Sequence, residues 1–537
     1  MKKRNLISFL LAAVMAATCL AGCGQDEVVS TNQKEETSTV STSETIVEEK
    51  SLWNVGELPI VNEPVTLKVL TQDPTGHTYD TADKAGIWTW LEEKTGVHFE
   101  VESYSAQELK NKLPLIMATP SEMPDLFIRC DFTAADIQGY GQAGQLLMLD
   151  EYIEEYGTNI KEIFNTVDYA IGATYSPDGH VYALPAFNGT AGGVAYYYNE
   201  RFLLNSGINE WPDTMEELYD VLTIMKTKDA NGDGIVGNEV LWSGTVSNVK
   251  RAALSMVGIN CYWPWQGCLF DEKDDNVFFV PTHENYKYML EMLAKFYKEG
   301  LLDSELFTQA TADKNAKFAS DLMFLYENLD NPYIASYKGM TGWRVPKPLT
   351  SAVNDEPFWV SAAPYQTDIG AVSAYTEYPE ICMLVLDYML SEECSFTSYQ
   401  GIEGVDYIVT ADGRIDRINP DYSTMNGPTT ILLPRNILPE WKTANNPIDE
   451  EIADVRAEYG KLAFQNYLKF TAEENDVISE ISADLGLYCD DFFVGVVTGE
   501  YDLAKEWDNY VAECEKMRSK ELTDIYQASY NRYYGLD

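Results

Sequence analysis

Val65-Thr66-Leu67-Lys68-Val69-Leu70 alternates apolar and polar side chains, the period-2 pattern of a strand with one buried face. It runs into Thr71-Gln72-Asp73-Pro74-Thr75-Gly76, whose composition is that of a loop. Gly86 to Thr95 then reads as a helix closed by Gly96, and His98 to Tyr104 as a second strand. A helix around Glu108 to Met117 leads to a third strand, Asp125-Leu126-Phe127-Ile128-Arg129. Strand, helix, strand, helix, strand is the order of a parallel α/β sheet.

The same alternation continues downstream. Thr214, preceded by Pro212-Asp213 and followed by Glu217, has the spacing of a capping box opening a helix through Lys226. Tyr286, Met289, Leu290, Leu293, Phe296 and Tyr297 fall on one face of a helix stopped by Gly300. A further helix spans Pro379 to Leu390, and the carboxyl-terminal stretch reads as mostly helical. No internal repeat is evident.

The 537 residues allow two to four domains and a large buried core. Hydrophobic residues make up 45% and charged residues 23%, a globular balance. Against 38 Lys+Arg stand 85 Asp+Glu, a formal charge of −47; loss of Lys2, Lys3 and Arg4 with a leader brings it to −47 − 3 = −50. A field of that sign repels phosphate backbones and anionic headgroups, so nucleic-acid binding is excluded as a function class. Four histidines argue against a His-rich catalytic metal centre, while 35 Tyr, 20 Phe and 11 Trp suit a protein that stacks rings on a ligand.

The amino terminus predicts export. Lys2-Lys3-Arg4, an apolar run from Leu6 to Leu20, and Leu20-Ala21-Gly22-Cys23 make a secretory signal over residues 1–22, too short for a spanning helix. A cysteine directly after Leu-Ala-Gly resembles the bacterial lipobox, which implies that Cys23 is lipidated and that acyl chains alone attach the protein to the membrane. Residues 23–55 are expected to be a disordered tether. Its small, hydroxylated and acidic stretch, Gly24 to Lys50, lacks an aromatic; about 27 such residues span roughly 30 Å on average. Seven cysteines remain after Cys23, without C-x-x-C spacing; Cys261 and Cys268 could bridge, or stay as buried thiols.

Most motif searches come back empty. Gly139-Tyr140-Gly141-Gln142-Ala143-Gly144 matches G-x-G-x-x-G but lacks the strand before it and the helix after it, and reads as a loop. No G-x-S-x-G, H-E-x-x-H or Walker A stretch occurs, and no catalytic residue is assigned. Among so many acids, two glycosidase-like carboxylates prove nothing.

One motif carries chemistry. Asp229-Ala230-Asn231-Gly232-Asp233-Gly234-Ile235-Val236-Gly237-Asn238-Glu239 places oxygens at positions 1, 3 and 5, glycine at 6 and a backbone carbonyl at 7. That is EF-hand loop logic for a hard cation, here a structural Ca2+ held by Asp229, Asn231, Asp233, the Ile235 carbonyl and Glu239, with Asn238 available. The terminal carboxylate, Glu239, comes one place early. The alternative is an Asx-rich turn with no metal.

Tyr196-Tyr197-Tyr198-Asn199-Glu200-Arg201-Phe202-Leu203, Pro212 to Leu218 and the Asp229–Glu239 loop together resemble the family 1 extracellular solute-binding proteins of ABC importers. The branch is similar to the Gram-positive lipoproteins akin to alginate- and oligosaccharide-binding proteins. Gly401-Ile402-Glu403-Gly404-Val405-Asp406-Tyr407, Val497-Thr498-Gly499, Trp507 to Val511 and Ile525 to Tyr533 agree with it. In the family the loop usually ends Asp-Glu-Ile-Pro one residue sooner; here Gly237-Asn238-Glu239-Val240 carries an extra residue, which bears on the last ligands more than on the site itself.

The resemblance implies an α/β, periplasmic-binding-protein type II fold: two lobes, a hinge, an interlobe cleft and a helical carboxyl-terminal region. It divides the chain into lobe 1, residues 56–190 plus 316–372, and lobe 2, residues 191–315 plus 373–537. It implies a monomer that captures a sugar or oligosaccharide and delivers it to an ABC permease, without turnover. A peptide or other polar solute, and a tethered carbohydrate-active enzyme, are the other two readings.

Polar or aromatic residues just past the strands are the expected ligand contacts. They are Gln72 and Asp73, Asp131 and Phe132, Phe187 and Asn188, Trp242, Glu327 and Asn328, then Trp343 and Tyr365. Trp263 and Trp265, held apart by Pro264, are the expected stacking platform.

Overall fold

The computed structural model describes residues 51–73, 82, 85–189, 192–262, 264, 267–329, 342–411, 415–418, 433–441, 447–464 and 468–536. The leader, the tether to Lys50, Cys23, Trp263 and Trp265 lie outside the described residues. Residues 51–55, expected in the tether, belong to the folded body. Trp53 bridges Val61, the Asn54 N–H donates to the Ile60 carbonyl at 2.7 Å, and Leu52 and Trp53 pack on the core.

Two sheets organise the rest. The first has six strands in the order Arg435–Asn436, Ala183–Phe187, Tyr365–Val372, Leu126–Ile128, Val65–Gln72, Val97–Tyr104. Five run parallel; Tyr365–Val372 runs against them, pairing with Leu126–Ile128 and Ala183–Phe187. The opening stretch therefore folds as read, with Val69 and Leu70 set beside Leu126 and Phe127. The helices Gly86–Thr95 and Ala106–Met117 form as expected. Gly96 ends the first at φ 74°, a conformation glycine adopts without a Cβ clash.

The second sheet has four strands in the order Trp343–Arg344, Val194–Asn199, Met323–Leu329, Val240–Ser243. Its core takes in the amphipathic helix Glu284–Lys298 and the carboxyl-terminal helices Ala472–Thr498, Leu503–Lys516 and Ser519–Tyr534. Thr214 caps its helix by accepting from the Glu217 N–H at 3.1 Å, while Glu217 reaches back to the Asp213 N–H at 2.8 Å rather than to the cap residue itself.

Sheet membership differs from the expected division at four places: Trp343–Arg344 lies in the second sheet and Arg435–Asn436 in the first, and two longer segments also change sides. Met323–Leu329 pairs with Val194–Asn199 in the second sheet, not with the first. Pro379–Met389 packs into the core of the first sheet, not of the second. Strand alternation shows that a segment pairs but not with which sheet, so the return was placed too early. Gly139 and Gly141 also differ, lying inside a helix, Ala134–Gln142. A capping box, Thr133 with Asp136, opens that helix, and the glycine lets it lie on Tyr182: a Cβ on Gly141 would come 2.4 Å from that ring. Among the described residues no helix is long and apolar enough to cross a membrane.

Candidate functional site

The carboxyl ends of the parallel strands gather on one rim of the six-stranded sheet. Gln72 lies beside Tyr104, Thr71 beside Ile128, and Phe187 beside both Asn436 and Tyr365. Three non-glycine residues near this rim adopt left-handed backbone conformations: Arg129 at φ 50° and Asp131 at φ 53°, just past a strand end, and Asp368 at φ 63°, inside Tyr365–Val372. Such positions cost on the order of 1–3 kcal/mol each when the residue is ill-suited, and their surroundings must hold them. Here the Arg129 N–H donates to the Ile369 carbonyl at 2.7 Å, and the Gln72 amide, with its nitrogen assigned to the Asp131 side, donates to that carboxylate at 2.9 Å. Asp73 accepts from the Ala82 N–H at 3.0 Å.

The four-stranded sheet presents a matching rim at Val194, Ser243 and the end of Met323–Leu329. Thr245 caps the helix Val246–Met256 there, and Asn248 donates to the Glu327 carbonyl at 2.8 Å. The Glu327 carboxylate is buried 3.4 Å from the equally buried Arg251, which also donates to the Tyr262 carbonyl at 2.8 Å. Burial pushes the Glu327 carboxyl up to about 8 against the pull of Arg251. This pair fastens helix to strand beneath the rim.

Only residues 188–193 separate the two sheets on the first pass, so the rims lie at either end of a short connection. The crossings brace one another. The Asn188 N–H donates to the Pro364 carbonyl at 2.7 Å, Ala362 to Gly192 at 2.9 Å, and Ile437 to Phe187 at 3.0 Å. Gly189 at φ 70° lies so close to the third crossing that a Cβ would stand 2.4 Å from the Ile437 oxygen. Arg456 donates to the Gly193 carbonyl at 2.8 Å, and Arg435 to the Asn188 side chain at 3.3 Å.

A second contact joins the halves away from the crossings. Lys469 donates to the Tyr175 carbonyl and faces Asp368; burial drags the amine down to about 8, opposed by that carboxylate. Asp368 is itself pushed up by burial, opposed by Thr367 and Lys469. Beside them Tyr365 stacks on Tyr169, with ring centroids 5.5 Å apart and planes at 24°. Sequence reasoning missed Lys469, Asp368 and Tyr169. A lone lysine in a loop carries no periodic signal, and Asp368 sits where the Tyr365–Val372 strand shifts register between Gln366 and Gly370.

Of the expected ligand residues, Gln72, Asp73, Asp131, Asn188 and Tyr365 stand on the first rim. Asn328 lies near the end of its strand, paired with Ala195. Four aromatics do not reach a rim. Phe187 is wholly buried in the first core, and Phe132 sits between Phe127 and Tyr140. Trp242 packs edge-on to Phe296 at 5.7 Å, and Trp343 against Phe318 at 5.1 Å. The reason is the pleat: successive side chains at a strand end point to opposite faces, and large rings go to the apolar one. Glu327 is likewise committed to Arg251 rather than exposed.

The Asp229–Glu239 loop is built from its own acceptors. Asp229 accepts from the N–H groups of Gly232 and Gly234 at 2.9 Å, and Asp233 from Ile235 at 2.7 Å. Asn231 accepts from Asp233 at 3.0 Å, and Glu239 from Ala230 at 2.6 Å and Gly237 at 3.1 Å. Asn238, donating at 2.7 Å, leads the contacts that hold the Asp233 carboxyl below its ordinary range. The Asn238 Oδ1, by contrast, is buried with no donor. Among the described residues no three His, Cys, Asp or Glu side chains converge as a metal cluster.

The model of the bacterial extracellular solute-binding protein family matches residues 75–393. The chain belongs to that family. Among its relatives is the fructooligosaccharide ABC transporter substrate-binding protein FusA of Streptococcus pneumoniae. It is 23% identical over 516 residues, covering 88% of this chain and 91% of FusA. Lipoprotein LipO of Bacillus subtilis is 25% identical over 256 residues, 47% of either chain. The structure of a FusA EF-hand mutant in complex with fructo-nystose superimposes with a TM-score of 0.72 at 20% identity, covering 88% of this chain and all of that one. The alginate-binding protein AlgQ2 without calcium ion gives 0.69 at 19% identity, covering 88% and 99%. The solute-binding family and its α/β fold agree with the expectation drawn from the sequence motifs.

Proposed function

We propose that the protein captures an oligosaccharide between its two sheet-bearing halves and hands it to the permease of an ABC importer. The carrying observation is that the strand-end rims of the two sheets lie at either end of a short connection, residues 188–193, within a family whose relative FusA is a fructooligosaccharide substrate-binding protein. Tyr365 and Tyr169 supply ring faces for sugar C–H groups. Gln72, Asp73, Asp131 and Asn188 supply the acceptors and donors that hydroxyls need. The formal charge of −47 favours a neutral glycan over an anionic one. Binding without turnover, by a monomer, is proposed in keeping with a family whose relative FusA is a substrate-binding protein. Calorimetric titration with neutral oligosaccharides, anionic oligosaccharides and peptides tests this reading.

We propose further that the Asp229–Glu239 loop holds a structural Ca2+. The donors present fit a hard cation: three carboxylates, two amide oxygens and the Ile235 carbonyl, with the Asn238 Oδ1 buried and unsatisfied by the protein. The names of the FusA EF-hand mutant and of AlgQ2 without calcium ion point the same way for those relatives. Residues 1–22 are proposed as the signal and Cys23 as the lipidated anchor, a reading in keeping with the lipoprotein LipO. Cys23→Ser should release the protein or strand its precursor; continued membrane attachment of that variant rules the anchor out.

A further inference from the structure

We propose that Cys489 and Cys514 form a disulfide that staples the two carboxyl-terminal helices Ala472–Thr498 and Leu503–Lys516 together in the exported protein. Neither residue was singled out by spacing, since 24 residues separate them (490 to 513). The structure brings them together through an aromatic stack. Phe492 of the first helix lies flat on Tyr510 of the second, centroids 3.7 Å apart and planes at 6°. The helices are antiparallel neighbours joined by a short turn after Gly499. Moving away from that turn, three residues back from Phe492 reach Cys489, and four residues on from Tyr510 reach Cys514. At 1.5 Å per residue these are advances of about 4.5 and 6 Å along the two axes, so the cysteines come opposite each other one turn below the stack.

Both cysteines are wholly buried and stand as free thiols in the structure, close enough that each bears on the other's ionisation. The neighbouring Cys268 is directed elsewhere: its Sγ donates to the Ser482 carbonyl at 3.5 Å, two turns along the same helix. The family is extracellular, where disulfides form and persist.

The chemistry is thiol–disulfide exchange with a disulfide oxidant, either a small-molecule disulfide or an extracellular thiol–disulfide oxidoreductase, acting before the core closes. The Cys489 thiolate attacks one sulfur of the oxidant, forming a mixed disulfide and releasing one oxidant thiolate. The Cys514 thiolate then attacks the Cys489 sulfur, forming the Cys489–Cys514 bond and releasing the second oxidant thiolate. Two electrons pass to the oxidant, which leaves as two thiols carrying the two protons.

The test is to refold the mature full-length chain with oxidised glutathione, alkylate remaining thiols in denaturant, and map the peptides. The expected result is a linked peptide pair containing Cys489 and Cys514, unchanged in Cys268→Ser. Reductant is expected to lower the melting temperature of the oxidised wild type by several degrees and to leave Cys514→Ser unmoved. Alkylation of both cysteines in the wild type, or linkage of either to Cys268, overturns the proposal.

Discussion

The backbone N–H of Asn188 donates to the carbonyl of Pro364 at 2.7 Å, tying the first crossing between the two sheets to the second. Both residues leave strands that lie side by side in the first sheet, where Phe187 pairs with Tyr365. The first crossing thus begins as an extension of that strand pairing, and the strand ends of the two sheets lie on either side of it.

Gly189→Ala is expected to disturb that connection. The residue is left-handed at φ 70°, and the added methyl would meet the Ile437 oxygen at 2.4 Å, a backbone atom that cannot swing aside. A loss of about 1–3 kcal/mol in unfolding free energy is expected. Chemical denaturation measures it, and a wild-type midpoint contradicts the close packing of the first and third crossings.

Substitutions on and off the rim should separate. Tyr365→Ala and Asn188→Ala are expected to weaken oligosaccharide binding by about 1–3 kcal/mol with a smaller change in stability. Trp242→Ala and Trp343→Ala should do the reverse, each lowering stability by about 3–5 kcal/mol as large rings leave a packed core. Trp263→Ala and Trp265→Ala are expected to behave as the rim variants do. Paired calorimetry and thermal unfolding decide; wild-type affinity with lowered stability in the last two makes those tryptophans core.

Chelation should destabilise the protein without removing its ligand site. At free Ca2+ one hundred times its Kd, binding to the folded state alone adds about 2.7 kcal/mol, and a chelator takes that away. Asp233→Ala should abolish the chelator-dependent shift in melting temperature. An unchanged wild-type melting curve in chelator contradicts a bound ion.

Stability should decline as pH rises from weakly acidic to mildly alkaline. Burial raises Glu327 from 4.5 to about 8 and Asp271 from 3.8 to about 7. Between those values the folded state binds more protons than the unfolded one, so their contribution is complete below about pH 4 and lost by about pH 8. Glu327→Gln is expected to flatten the decline across pH 5–8, followed by urea midpoints. An equally steep decline in that variant removes Glu327 as its source.

Reading the chain alone succeeded where one local rule decided the outcome. The Val65–Gln72 strand, the Gly96 stop and the Glu284–Lys298 helix each follow from periodicity or a single terminator. It failed where tertiary partners decided. Nothing local tells that Met323–Leu329 joins Val194–Asn199, or that Trp242 turns inward to Phe296. The start of the G-x-G-x-x-G stretch is helical rather than a loop because Gly141 serves packing on Tyr182, while Gly144, at φ 70°, does fall in the turn that follows. The rim residues Asp131 and Asn188 were found from position past a strand, whereas Lys469 needed the fold to bring it to Asp368.

The measurement that bears most directly on the two-rim account is calorimetric titration of the mature protein with a panel of neutral oligosaccharides, fructooligosaccharides first, beside anionic oligosaccharides and peptides. The account predicts saturable binding of a neutral oligosaccharide, one per chain, weakened in Tyr365→Ala and with the glycan recovered intact. Binding of peptides with no response to any oligosaccharide, or hydrolysis of the bound glycan, would contradict it.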